Sequence, residues 1–157
     1  MESRPFSKIS IGDICEKCEM NRKSFYYHFK DKYDLVNWIY YTEFAAAIRR
    51  QNHDTLPELV EDLCRFFYGD RAFYRKIFSV TGQNSFSEYF RELLAAFLSG
   101  YLEEEFSGEN NFSFYVDFYA DAVVCAVKRW LLEKDSMPAE EFSAKLKKCL
   151  PVSPDRQ

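Results

Sequence analysis

The most constraining feature of this sequence is residues 21–35, NRKSFYYHFKDKYDL, where aromatic and basic side chains stand between two helix-start signals. Asn21 is a preferred N-cap residue, because its side-chain oxygen accepts a hydrogen bond from a free N–H of the first helical turn. Phe25 and Phe29 are four residues apart, so they share one helix face, which we expect to be buried. A short helix with an apolar back and a basic, tyrosine-rich front suits the major groove of DNA.

A second short helix precedes this stretch. Ser10 and Asp13 form a capping box in which Asp13 takes the place of the usual glutamate. We expect the helix to span residues 11–18, with an inner side made of Ile11, Ile14, Cys15 and Cys18. Residues 18–20 then connect it to the helix that begins after Asn21. Two short helices joined by so tight a turn predict a helix-turn-helix whose second helix reads the groove.

Residues 9–40, ISIGDICEKCEMNRKSFYYHFKDKYDLVNWIY, closely resemble the DNA-binding region of TetR-type transcriptional regulators. The hallmark of that family is an aromatic-rich recognition helix, here FYYHF at residues 25–29, followed by basic residues such as Lys30 and Lys32. The order of residues is most similar to the branch that includes regulators of dihydroxyacetone kinase operons. The resemblance implies an all-α fold with an N-terminal helix-turn-helix and a C-terminal helical bundle for dimerisation.

The same resemblance implies which residues contact DNA. By position they are Arg22, Lys23, Ser24, Tyr26, Tyr27, His28, Lys30 and Lys32. The first three match family contacts to bases or phosphates, the tyrosines match contacts to phosphates, sugars and thymine methyl groups, and the next two match backbone contacts. Lys32 matches a phosphate contact at the N-terminus of the following helix, where the helix end and the ammonium both attract an anion. Only the first-turn residues are expected to read the base sequence.

The sequence departs from the family pattern in two places. Glu19 stands in the turn where the family usually has glycine, and a glutamate with a left-handed backbone should cost about 1 kcal/mol. Its negative charge also lies close to the expected DNA-facing surface. The family has a further helix ahead of this region, whereas only residues 1–5 stand here. We therefore expect a three-helix DNA-binding domain without most of its first helix, and hypothesise a start set at an internal methionine or a shortened chain.

The charge distribution predicts a basic tip on an acidic body. Residues 1–50 carry nine Lys and Arg against seven Asp and Glu, whereas the remaining residues carry twelve against eighteen. The net charge of −4 argues against indiscriminate nucleic-acid binding, and this division lets the tip meet DNA while the body stays off it. A hydrophobic fraction of 47%, with 18% aromatic residues, predicts a buried globular core rather than disorder.

Other chemistries find little support in the sequence. Cys15-x-x-Cys18 has no second cysteine pair and no nearby histidine to complete a metal or redox site, so we expect two small buried residues on a helix. The two histidines, His28 and His53, have no evident catalytic partner, and His53 is expected to face solvent. We predict neither catalysis nor a cofactor. Because no signal peptide opens the sequence, we also predict free thiols in a reducing, cytoplasmic compartment.

The rest of the sequence predicts helices throughout. Their expected spans are residues 32–51, 57–68, 71–78, 85–105, 112–133 and 138–149. The chain then divides into a helix-turn-helix domain at 1–45, a helical ligand- or partner-binding and dimerisation domain at 46–150, and a flexible tail at 151–157.

Helix 112–133 is apolar nearly all round. One side should cover the core, and the other should meet a second copy of the chain. With the last helix it would form a four-helix dimer interface, as the resemblance also implies. Asp117 and Asp121 interrupt its apolar run, which argues against a membrane span.

TetR-type bodies usually enclose an effector cavity among their middle helices, and the resemblance implies one here. Its candidate lining is aromatic: Trp38, Tyr41, Phe66, Phe67, Tyr74, Phe78, Phe90, Tyr115 and Tyr119. Asp117 or Asp121 would supply polar contacts. Aromatic residues at helical spacing are more often core than pocket, and some regulators of the dihydroxyacetone type respond through a partner protein instead. A solid body without a cavity is therefore the alternative.

Together these features predict an all-α homodimer whose two recognition helices read successive half-sites of a pseudo-palindromic, double-stranded DNA operator. A small-molecule effector or a partner protein acting on the body would change the spacing of the two tips through helix 32–51. The alternative function is that of a TetR-like dimeric interaction protein that no longer binds DNA. Salt separates the two functions, because the affinity of a DNA reader falls steeply as salt rises.

Overall fold

The structure, a computed structural model, describes residues 4–50, 53, 55–80, 85–103, 105–106 and 108–151, with the backbone alone for 45–50. A short 3-10 turn at Phe6–Lys8 precedes the helices. The helices are α1 Ile11–Lys17, α2 Arg22–His28, α3 Lys32–Arg50, α4 Leu56–Gly69, α5 Arg71–Phe78, α6 Phe86–Leu102, α7 Phe112–Leu132 and α8 Ala139–Lys147. Within the described ranges there is no β-strand, so the all-α prediction is confirmed.

α1 and α2 begin at the predicted caps. The backbone N–H of Asp13 donates to Ser10 Oγ at 3.1 Å, and the backbone N–H of Ser10 donates to Asp13 Oδ2 at 2.8 Å. The two bonds complete the capping box and hold the pKa of the Asp13 carboxyl below its ordinary value. The side chain of Asn21 accepts a hydrogen bond from the backbone N–H of Ser24 at 2.8 Å. Local sequence alone therefore fixes where both helices start.

The turn between α1 and α2 is as short as predicted. Glu19 has a φ of 53°, which is the left-handed conformation that disfavours a residue with a side chain. α1 ends at Lys17, and Cys18 is exposed while Cys15 is buried. The prediction that Cys18 lies on the inner side of α1 is wrong, because the helix ends before it and the chain turns away.

α3 connects the two short helices to the rest of the molecule. The side chain of Asp31 accepts hydrogen bonds from the N–H groups of Tyr33 and Asp34 at 2.8 and 2.9 Å, which starts the helix where predicted. Farther along α3, side chains four residues apart are buried: Val36, Tyr40 and Phe44. α3 thus carries one apolar stripe from the helix-turn-helix into the body.

Tyr40 lies at the centre of an aromatic cluster in the body. Its ring centroid is 5.0 to 6.4 Å from those of Phe44, Phe66, Phe67, Tyr74, Phe86, Tyr89 and Phe90, a set called here the Tyr40 cluster. These rings come from α3, α4, α5 and α6. Aromatic pairs add about 0.5 to 1.5 kcal/mol each beyond the area that they bury. The cluster therefore fastens α3 to three helices of the body.

α7 and α8 complete the body. α7 packs against α5 and α6, and α8 packs against α4. The indole N–H of Trp130 donates to the carbonyl of Met137 at 2.8 Å, and its ring stacks on Phe142 at 4.3 Å, which joins α8 to the end of α7. No helix in the described ranges is long and apolar enough to cross a bilayer.

The two sides of α7 differ. The inner side is buried and comprises Val116, Ala120, Val123, Val124, Val127, Trp130 and Leu131. On the opposite side Phe114 and Phe118 are 63% and 56% exposed. The core of a single chain thus buries the apolar residues on the inner side of α7 but not those on its outer side.

His53 lies ahead of α4 and does not face solvent, so the sequence prediction for it is wrong. Its Nε2 is 2.7 Å from the carboxylate of Asp62, and its side chain is 4% exposed. The hydroxyl of Tyr101 donates to the carbonyl of His53 at 3.1 Å. The carboxylate of Asp62 on α4 binds the imidazole ring. The residue pattern of the segment between α3 and α4 could not predict this contact.

Candidate nucleic-acid interface

The back of α2 is packed as predicted. Phe25 is buried and Phe29 is half-buried, with their ring centroids 5.5 Å apart. Phe29 also lies against Trp38 of α3 at 5.6 Å. These contacts fix how α2 is rotated about its own axis, and so decide which side chains face outwards.

The front of α2 and the residues just after it carry most of the predicted DNA contacts. Tyr27 and Tyr26 are 85% and 58% exposed. The other exposed members of the predicted set are Arg22, Lys23, His28 and Lys30. Ser24 is half-buried, and its backbone N–H is engaged by the cap. One short helix therefore presents guanidinium, ammonium, imidazole and phenol groups, all of which can donate hydrogen bonds to phosphate oxygens.

Gly12 is a residue of this surface that sequence reasoning missed. A Cβ atom built on Gly12 would lie 2.5 Å from a terminal nitrogen of Arg22. The guanidinium of Arg22 therefore rests against the start of α1, in space that any side chain on Gly12 would occupy. A glycine in the first turn of a helix, where propensity disfavours it, was the signal that could have drawn attention to it.

Lys32 is placed differently from the expectation of a phosphate contact. Its Nζ donates to the carbonyls of Phe6, Ser7 and Ile9 at 2.9, 3.0 and 2.8 Å. It also lies over the rings of Phe6 and Tyr33. An ammonium group has three hydrogens, so all of them are directed at these carbonyls. Lys32 holds the segment before α1 in place, and a phosphate contact would require one of these bonds to be given up.

An apolar groove of about 460 Å³ lies behind α2. It is lined by Ile14, Cys18, Met20, Phe25, His28, Phe29, Leu35 and Trp38. Trp38 is 54% exposed here, although the sequence suggested it for an effector cavity in the body. The correction has a simple reason: Trp38 lies on the side of α3 that faces α2, through Phe29, rather than the side that carries Tyr40.

The other residues suggested for an effector cavity are not brought together around one. Four of them belong to the Tyr40 cluster: Phe66, Phe67, Tyr74 and Phe90. A fifth, Phe78, packs against Phe67 with ring centroids 5.7 Å apart. Tyr115 and Tyr119 lie against Phe106 at 4.1 and 6.1 Å. Tyr41 is exposed. Among the described residues, this set forms core and surface rather than a shared lining.

The two carboxylates suggested as polar pocket contacts face outwards. Asp117 and Asp121 both pair with Arg91 of α6, at 2.8 and 2.5 Å. The hydrogen bond to Asp121, and next the one to Asp117, raise the pKa of the Arg91 guanidinium above its ordinary value. The ion pairs tie α6 to α7 across the surface.

Two hydroxyl groups inside the Tyr40 cluster have no hydrogen-bond partner among the described residues. They belong to Tyr40 and Tyr74, and both are buried. Burial raises the pKa of both phenols well above the ordinary value. The groups therefore stay neutral, and a buried hydroxyl without a partner is unfavourable.

The cysteines do not form a redox or metal site in the part of the chain that the structure describes. Cys15, Cys18, Cys64, Cys125 and Cys149 are all free thiols. No group of three or more metal-ligating side chains occurs among the described residues. Burial raises the pKa of the Cys64 thiol to about 12, which leaves it unreactive at neutral pH.

Comparison with known proteins bears on both ends of the chain. A family model described as bacterial regulatory proteins, tetR family, matches residues 1–39, and one described as transcriptional regulator C-terminal region matches residues 54–151. The HTH-type dhaKLM operon transcriptional activator DhaS of Lactococcus lactis subsp. lactis (strain IL1403) is 29% identical over 92 residues, or 57% of this chain and 48% of that protein. The chain thus spans about half the length of the curated relative that it matches.

A solved structure supports the same fold. The dihydroxyacetone kinase operon activator DhaS aligns with a TM-score of 0.65 over 94% of this chain and 85% of that one, with 21% sequence identity. At this identity the likeness concerns the fold alone.

Proposed function

The chain belongs to the TetR family of transcriptional regulators, and we propose that it is a homodimer whose two α2 helices read successive half-sites of a pseudo-palindromic operator. The observation that carries the proposal is the front of α2, where Tyr26 and Tyr27 are exposed beside exposed basic residues. Membership also makes the chain a regulator rather than an enzyme. We further propose a cytoplasmic location, with which five free thiols are consistent.

Each contact residue has a proposed role. Lys23 and Arg22, in the first turn of α2, read base edges, because this turn enters the groove first. Tyr26, Tyr27, His28 and Lys30 bind backbone phosphates or sugars and set the register. Ser24, which is also in the first turn of α2, contacts a base or a phosphate. Lys32 acts indirectly, by holding the segment before α1 through three carbonyls.

The second copy is proposed to pack on α7 and α8. Phe114 and Phe118 lie one turn apart on the outer side of α7, with ring centroids 6.3 Å apart, and both are more than half exposed. Exposed aromatic pairs on one helix face are typical of interfaces rather than of free surfaces. Two α7 helices and two α8 helices would then form a four-helix interface.

Regulation is proposed to reach DNA through α3. This helix begins at the tip with Lys32 and carries Tyr40 into the body. An effector or partner protein that binds the body and prefers one spacing of the two tips would change DNA affinity to the extent of that preference. The curated relative is named an operon activator, and we propose activation as the output to be tested first.

The decisive experiment is a titration of duplex DNA from just upstream of the gene against random duplex, at several salt concentrations. A DNA reader should discriminate the two by at least about 10³-fold and weaken steeply with salt. Tyr27→Ala should weaken binding to all sequences alike, whereas Lys23→Ala should also relax the preference at one base pair. Arg65→Ala on α4 removes an exposed positive charge that lies outside both α2 and the proposed dimer interface, so it is the matched control.

Two outcomes would contradict the proposal. If Tyr27→Ala and Lys23→Ala bind as tightly as the parent, the assignment of α2 as the reading helix is wrong. If the parent binds no duplex while it still dimerises, the chain is instead a TetR-like interaction protein that works through its body.

A further inference from the structure

A basic groove of about 680 Å³ lies between α5, the end of α7 and the segment ahead of α1. Its polar lining consists of Arg4, Arg71, Arg75, Lys76, Ser79 and Ser136. No carboxylate is among the described residues that line it. This is unexpected in a body where acidic residues outnumber basic ones by eighteen to twelve. A volume of this size falls within the range of about 300 to 1,000 Å³ that is usual for small-molecule sites.

The positive charges of the groove are clustered by the sequence of α5. Arg71, Arg75 and Ser79 are spaced by four residues, so they follow one face of the helix and its end. α5 carries three basic residues and no acidic one. Like charges at this spacing repel each other and destabilise a helix. An anion that lies between the charges would relieve this repulsion.

Neutral partners hold the two arginines in place. Nη2 of Arg75 donates to the carbonyl of Leu132 at 3.1 Å, and the guanidinium of Arg71 lies over the ring of Tyr68 at 5.3 Å. Nη1 of Arg71 is also 3.4 Å from the Tyr68 hydroxyl and 3.5 Å from Ser136 Oγ. These contacts orient the guanidinium groups without cancelling their charge. Preorientation of this kind lowers the entropy lost when a ligand binds.

We propose that this groove is a binding site for a small phosphate-bearing molecule. Guanidinium groups match phosphate oxygens with paired hydrogen bonds, and the hydroxyl of Ser136, which accepts from Arg71, still has its own hydrogen to donate. Arg4 lies 3.6 Å from the carboxylate of Asp13, but the contacts described for Arg71 and Arg75 are neutral. Those two charges exceed what one carboxylate would balance, whereas a phosphate ester carries about two negative charges near neutral pH. The ligand would also bridge Arg4 to α5, and so connect the helix-turn-helix with the body. That regulatory consequence rests on the proposed function, but the site itself does not.

The test is isothermal titration calorimetry with inorganic pyrophosphate, at constant ionic strength and without DNA. We expect saturable binding of one pyrophosphate per chain. Arg71→Gln and Lys76→Gln should each weaken it about tenfold or more, because each removes one charged donor. Arg65→Gln removes the same charge from the exposed surface of α4, where Arg65 pairs with Glu61 and Asp62, and should leave binding unchanged.

Several results would overturn the proposal. One is the absence of saturable binding, and another is an equal loss in Arg65→Gln, which would mean unspecific attraction to surface charge. If pyrophosphate does not bind but Arg71→Gln weakens duplex binding, the groove contacts DNA phosphates and is not a small-molecule site. Should Arg71→Gln fail to unfold cooperatively, Lys76→Gln decides alone. Because no DNA is present in the calorimetry, its failure leaves the operator titration unaffected.

Discussion

The ammonium group of Lys32 ties the segment ahead of α1 to the start of α3. It reaches the carbonyls of Phe6, Ser7 and Ile9 at 2.8 to 3.0 Å, all of which precede the first helix. Hydrogen bonds from a charged donor are worth more than neutral ones, particularly when they are partly shielded from water. The position of α1, and with it the seat of the Arg22 guanidinium against Gly12, therefore depends on a side chain of α3.

Replacing Lys32 should loosen this part of the molecule. We expect Lys32→Met to lower the free energy of unfolding by about 2 kcal/mol, because three carbonyls lose a charged donor. Amide hydrogen exchange should show the loss of protection first in α1. Lys30→Met, at an exposed neighbouring position, is the control and should change neither quantity much. Unchanged α1 protection in Lys32→Met would show that these bonds do not hold the segment.

The unpartnered hydroxyl of Tyr74 gives a prediction of the opposite sign. Tyr74→Phe should raise the free energy of unfolding by about 1 kcal/mol at neutral pH, since it removes a buried polar group for which the described part of the chain offers no hydrogen-bond partner. Tyr101→Phe is the matched control, because its hydroxyl donates to the carbonyl of His53 at 3.1 Å and its removal should destabilise the fold. Chemical denaturation with urea measures both. A loss of stability in Tyr74→Phe would mean that the hydroxyl is bonded in solution.

The same residue contributes to the pH dependence of stability. Burial raises the pKa of Tyr74 in the folded state, so its neutral form is favoured there. Its contribution is fully present below the ordinary tyrosine pKa near 10 and is lost as the pH rises above that value, because only the unfolded chain ionises. The advantage of Tyr74→Phe over the parent should therefore grow above about pH 10.

At the scale of elements, the α1–α2 turn keeps a strained residue. Glu19 has a φ of 53°, so we expect Glu19→Gly to stabilise the fold by about 1 kcal/mol in thermal or urea unfolding. Glu16→Gly, three residues earlier and inside α1, should instead destabilise it by a similar amount. If both substitutions destabilise, strain at Glu19 is relieved in solution and the conformation of the turn differs from the one described.

The elements themselves were largely predictable from local sequence. The capping box at Ser10 and the cap at Asn21 mark helix starts because their partners lie only three residues away. The end of α1 was less predictable. No local signal in the sequence shows whether Cys18 is the last residue of the helix or the first residue after it. His53 was misjudged for a related reason, and the contacts of Lys32 could not be foreseen. Their partners are Asp62 and the carbonyls ahead of α1, and such pairings depend on tertiary structure.

At the scale of the whole molecule, the sequence could list aromatic residues but not divide them between core, pocket and interface. Periodicity places Phe67 and Trp38 equally on apolar faces, yet Phe67 is fully buried and Trp38 is 54% exposed. Whether an aromatic side chain is buried depends on whether it packs against the ring at the centre of the core. Only the packed structure shows that Tyr40 is that ring. The basic groove escaped sequence reasoning because Arg4 and Arg71 are far apart in the chain.

The exposed aromatic pair of α7 makes the last prediction, which concerns assembly. Phe114 and Phe118 would each occur twice in a symmetric dimer, facing their own copies or close neighbours across the twofold axis. Buried aromatic anchors near the centre of an interface often contribute about 2 kcal/mol or more each. The double variant Phe114→Ser/Phe118→Ser should therefore raise the dimer dissociation constant by at least about a hundredfold, measured by sedimentation velocity.

Tyr27→Ser is the control for this experiment, because it removes an exposed aromatic ring from α2 and should leave the dimer intact. The two variants should also differ on DNA. The double variant of α7 should lose operator affinity because one chain can engage only one half-site, whereas Tyr27→Ser should lose it with the dimer unchanged. If the double variant sediments as the parent does, the outer side of α7 is not the interface, and the two half-sites must be held together by another surface.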